Sequence, residues 1–61
     1  MFVELKTRQH DGLTVSLEWD RETGATQIVV NDNRAAIEVA FGVPGAMAAD
    51  AFRHPFRYLP D

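Results

Sequence analysis

The chain has no cysteine. That absence removes disulfides, and with them the thiolate ligands on which most structural zinc sites are built. It has one serine, Ser16, with no glycine-rich elbow around it, so serine-type nucleophilic catalysis lacks its defining turn. Lysine is equally scarce, with Lys6 alone against five arginines, and the six basic residues face nine acidic ones. The resulting formal charge of −3 argues against a generic phosphate-backbone binder, because duplex affinity comes largely from lysine and arginine neutralising phosphates. No stretch approaches the roughly eighteen apolar residues of a membrane span. The opening "MFVELKTRQ" is broken by Glu4, Lys6 and Arg8, so it has no signal-peptide core. A cytoplasmic protein without membrane contact is the expectation. There is also no glycine-rich phosphate cradle, no calcium-loop spacing in "NDN", and no convergence of histidines and carboxylates. No cofactor, no metal and no catalytic residue is therefore expected.

What is present describes a small folded domain. Residues 1–61 make one unit, and a domain of this size buries only about 60% of the surface that its unfolded chain exposes. The hydrophobic content of 46% and charged content of 25% are those of a globular chain rather than a disordered one. With disulfides excluded, self-association is the remaining reinforcement.

Four segments alternate with the two-residue period of a half-buried strand. Phe2–Arg8 places Val3, Leu5 and Thr7 on one face and Glu4, Lys6 and Arg8 on the other. Leu13, Val15, Leu17 and Trp19 then alternate with Thr14, Ser16, Glu18 and Asp20, and Trp19 reads as the last inward residue of that strand rather than a stacking surface. Ala25–Asn31 carries Thr26, Ile28 and Val30 on one face. Ile37, Val39 and Phe41 alternate with Ala36, Glu38 and Ala40. Between these lie Asp11-Gly12, a dipeptide suited to positive φ, then "DRETG" and "NDNR", whose residue types favour turns.

The period changes at "VPGAMAADAFRH". Pro44 suits a first helical turn, Val43 and Met47 have the spacing of a hydrophobic staple, and four alanines favour helix. Pro55 must end the helix near Arg53, because it excludes His54 from the α region. The whole reads as an α+β fold: a four-stranded antiparallel meander with one C-terminal helix of about ten residues packed on one face.

Site chemistry concentrates at the end of the chain, in "DAFRHPFRYLPD". His10 reads as a solvated turn residue beside Asp11, and the acids Glu18, Asp20 and Glu22 as a solvated hairpin. A hydrolase built on His54 with Asp50 one turn earlier lacks a nucleophile. Phe52, Phe56 and Leu59 are expected to close over the sheet as a lid, with Arg53 and Arg57 outside. Against that, Arg53, His54, Phe56, Arg57 and Tyr58 form a candidate partner contact, since arginine and tyrosine are enriched at interface hot spots. Asp61 and the terminal carboxylate offset the two arginines.

The positions Trp19, Asp20, Gly24, Ala51, Phe52, His54, Pro55, Phe56 and Tyr58 give the chain a resemblance to short uncharacterised proteins of high-GC bacteria that share a tryptophan-turn hairpin and a terminal AF-x-HPF-x-Y segment. That resemblance implies a stand-alone gene product and no particular activity. The expectation is a small non-enzymatic interaction or regulatory module, self-associating as a homodimer and open to an unknown protein partner. The alternative is a weak single-stranded nucleic-acid binder using the arginine and aromatic tail.

Overall fold

Alternation without a break in the second segment, and the β-rich runs with Val29 and Ala40 on the second face in the third and fourth, make them strands, and the turn residues between them fix how they pair. In the computed structural model, which describes residues 1–59, β1 (Phe2–His10), β2 (Leu13–Asp20), β3 (Thr26–Asp32) and β4 (Ile37–Val43) form one antiparallel sheet in the order β1-β2-β3-β4. A 3-10 turn at Gly45–Met47 leads into a helix, α1 (Ala48–Arg53), and a second 3-10 turn follows at Pro55–Arg57. This is the expected β-β-β-β-α meander. Asp61, set above against Arg53 and Arg57, lies outside the described residues.

Asp11 and Gly12 both have positive φ, 51° and 79°, the signature of the tight turn that matches strand twist. A Cβ added at Gly12 would meet the Arg34 Nε at 2.9 Å. The Asn33 amide donates to the Gly12 carbonyl at 2.8 Å, so the β1–β2 and β3–β4 turns are tied together at one end of the sheet. Ala36, expected inside β4, belongs instead to the turn, with φ at 55°. Asp32 holds this turn by accepting from the amides of Arg34 at 3.0 Å and Ala35 at 3.2 Å.

The first strand departs from expectation. Glu4 pairs with Glu18 and Lys6 with Leu17, leaving Leu5 as the extra residue of a β-bulge. The alternation therefore slips by one position: Lys6 and Arg8 stand opposite Leu17 and Val15 on the helix-covered face, and Thr7 stands opposite Ser16 on the other. The expected grouping of Val3, Leu5 and Thr7 on a common face does not survive the bulge, and Leu5 is 53% exposed.

The core lies between α1 and the two central strands, made of Val15, Leu17, Ile28, Val30, Val43, Ala48 and Ala51. Ala51 is fully buried, and its small side chain lets the helix backbone come close to the sheet. The α-helix has six residues rather than ten, because Pro44 stays extended and Gly45–Met47 wind as a 3-10 turn. Met47 is exposed rather than packed on the sheet, and Trp19 is half-buried outside the core cluster. His54 leaves the α region as a pre-proline residue should, at φ −133° and ψ 62°.

The other face of the sheet is mainly polar, with Val29 and Ala40 its apolar members beside Ser16. Thr7 Oγ1 lies 3.1 Å from Ser16 Oγ, which donates to Glu4 Oε1 at 3.4 Å, and Gln27 Nε2 donates to Glu18 Oε1 at 2.7 Å. Ser16, expected on a solvent face, is only 8% exposed under this network.

Candidate functional site: a cationic groove beside Phe56

Because the bulge turns Arg8 inward, its guanidinium reaches the end of α1. Nε and Nη2 donate to the Phe52 carbonyl at 3.3 and 3.0 Å, Nη2 donates to the Arg53 carbonyl at 3.2 Å, and the guanidinium carbon sits 5.5 Å from the centre of the Phe52 ring. One side chain thus caps the helix end and stacks on its last aromatic residue.

The tail then divides. Tyr58 is half-buried against the core, and its hydroxyl donates to Asp50 Oδ2 at 2.6 Å. That bond draws the Asp50 carboxyl below its usual range, helped by the nearby guanidinium groups of Arg57 and Arg53. It also pushes the Tyr58 phenol up, with burial adding to the effect. Pro55 is buried and Leu59 half-buried, whereas Phe56 is 62% exposed. The expected lid is therefore made by Phe52, Pro55, Tyr58 and Leu59, and Phe56 is not part of it.

Phe56 instead forms a ridge between two grooves. One, of about 320 Å³, has Leu13, Val15 and Pro55 as its floor, and Arg8, His10, Arg53, His54 and Arg57 around it. The other, of about 290 Å³, runs over Leu13, Val30, Ile37, Val39 and Leu59, toward Asp32 and Arg34.

Of the five expected contact residues, Arg53, His54, Phe56 and Arg57 line the first groove together. Tyr58 does not, being turned to Asp50. Sequence reasoning missed Arg8, for which the strand pattern carries no signal. It also set aside His10, which is the last residue of β1, has its Nε2 3.1 Å from Asp11 Oδ2, and lines the same groove.

The Asp50 carboxylate faces the Tyr58 hydroxyl, and Ser16 lies under the opposite face of the sheet. Among the described residues there is no cluster of three metal-ligating side chains, and no helix long and apolar enough to cross a membrane. No protein-family model, curated protein or solved structure matches the chain.

Proposed function

We propose that this chain is a non-enzymatic interaction module that works as a homodimer joined along β4. The observation that carries the reading is the inequality of the two sheet edges. Natural edge strands are blunted by bulges, inward charges or proline. The β1 edge has the Leu5 bulge together with Glu4, Lys6 and Arg8. The β4 edge has none of these: its pairing with β3 is regular from end to end, and Glu38 is its one charged residue.

A second copy fits this edge without conflict. Antiparallel pairing of two β4 strands about Ala40 sets Val39 opposite Phe41, Ile37 opposite Val43 and Glu38 opposite Gly42. Like charges do not meet, and the apolar face of one sheet continues into the other. The exposed Ile37 and Val39 then gain neighbours, and a 61-residue core gains the association that domains of this size commonly use.

Sedimentation at micromolar concentration is expected to give the dimer mass. Val39 and Val3 are both 37% exposed, on opposite edges. Val39→Lys is therefore expected to give a folded monomer, whereas Val3→Lys stays dimeric. A monomeric wild type, or equal behaviour of the two variants, would sink the proposal.

A second reading has its own support. The exposed Phe56 lines one groove with Arg53 and Arg57, the residue types that stack on and neutralise single-stranded nucleic acid. With Tyr58 engaged by Asp50, this reading rests on those three residues, and it predicts salt-sensitive binding lost on Arg57→Ala.

A further inference from the structure

We infer that the groove between β1 and the Pro55–Arg57 turn binds a small organic anion: a carboxylate or phosphate head on an apolar body the size of one aromatic ring or short alkyl chain. The groove collects three of the chain's six lysine and arginine residues and both of its histidines, although the chain as a whole carries −3. No carboxylate lines it among the described residues. Folding brings Arg8 to residues 44 and 45 positions away along the chain, so a third arginine joins the two that the sequence already places at 53 and 57.

The charges are prepared for a ligand in two ways. Arg8 is pinned by two carbonyl oxygens and an aromatic ring, so little of its freedom is left to lose on binding. Arg53 and Arg57 are exposed, and among the described residues their side chains make no hydrogen bond or ion pair. A fork of donors without an acceptor suits a planar carboxylate or a phosphate.

Beneath the charges the floor is apolar, with Val15 and Pro55 buried and Leu13 half-buried, and the exposed face of Phe56 forms a wall. Such a floor rewards an apolar body, and a purely inorganic anion would leave it uncovered. Its volume suits a small occupant: about 320 Å³ is at the small end of ligand sites, which run from about 300 to 1,000 Å³. A polyanion would also extend beyond this patch onto an acidic molecule, whereas one head group feels only the local field.

The test is a nuclear magnetic resonance titration of the isotope-labelled full chain with phenylbutyrate, phenyl phosphate, phenylbutanol, inorganic phosphate and oligothymidylate. Saturable shifts at the Leu13 and Val15 methyls and the Phe56 ring are expected with one or both of the first two, and the stronger of them identifies the head group. Arg53→Gln with Arg57→Gln, both at exposed positions, should weaken that binding by about tenfold or more, given the strength of charged hydrogen bonds. Val39→Lys should leave it unchanged, which separates the groove from the β4 edge. Phenylbutanol binding as well as phenylbutyrate would overturn the inference, as would inorganic phosphate matching phenyl phosphate, or no saturable shift with either aromatic anion. Oligothymidylate binding more tightly than both, with a steep salt dependence, would overturn it in favour of the nucleic-acid reading.

Discussion

Helices leave their last carbonyl oxygens without intrahelical donors, and a cation that reaches them satisfies the acceptors while meeting the negative end of the helix. Arg8 supplies this from β1, and among the described residues its hold on Phe52 and Arg53 is the one side-chain hydrogen-bonded link between β1 and α1. Arg8→Ala is expected to destabilise the fold by about 1.5–3 kcal/mol, the range for hydrogen bonds to a charged group, with a smaller addition from the aromatic contact. Arg8→Lys should recover only a minor part, because an ammonium cannot bond two carbonyls while lying flat on a ring. Chemical denaturation followed by Trp19 fluorescence measures both, and an unchanged midpoint for Arg8→Ala would refute the assignment. This residue was illegible in the sequence for a physical reason. "FVELKTR" keeps a period of two throughout, and a bulge needs no glycine or proline to announce it, so Arg8 reads as an outward charge. His10 was misjudged for a related reason: next to Asp11-Gly12 it looks like loop, whereas the tight turn needs only two residues and leaves His10 in the strand.

At the scale of elements, α1 is far too short to persist alone, since isolated helices below roughly a dozen residues are marginal. It is held by burial of Ala48 and Ala51, by Arg8, and by the Tyr58–Asp50 bond that ties the following turn back to it. Asp50 has a lowered pKa in the fold, so its contribution is present above the usual carboxylate range and is lost as pH falls through the lowered value. Tyr58 has a raised pKa, so the same bond is at full strength below about pH 10, the ordinary phenol value, and is lost as pH rises through the raised one. The chain has one tyrosine, which makes phenolate absorbance a reading of Tyr58 alone. Its midpoint is expected above about 10, and Asp50→Asn should bring it down. A wild-type midpoint at the ordinary value would dispose of the clasp. β2, with the turns that flank it, was readable because unbroken alternation and positive-φ residue types agree there, and β3 because its β-branched run Ile28-Val29-Val30 carries strand propensity on both faces. The helix length was not, because alanines report helix propensity without saying where a 3-10 turn gives way to an α-turn, and Ala36 carries no mark of the positive φ that keeps it out of β4.

Across the whole molecule the sheet has one face under a short helix and one mainly polar face that no element covers among the described residues. Its edges differ in kind, and in the proposed dimer that difference would decide how copies add. Pairing at β4 alone closes after two copies, because a two-fold interface uses itself up, whereas a second competent edge would let each dimer recruit the next. Leu5 stands at that second edge. Since Glu4 already faces Glu18 and Lys6 already faces Leu17, deleting Leu5 would straighten the ladder without turning any other side chain, and Arg8 would keep its hold on α1. The shortened chain is expected to fold and then to grow with concentration into long assemblies visible by light scattering, and a mass equal to that of the wild type would contradict this. A single supernumerary residue, costly as a flaw in one strand, would then do more than the charges beside it to halt growth at a pair rather than a fibre.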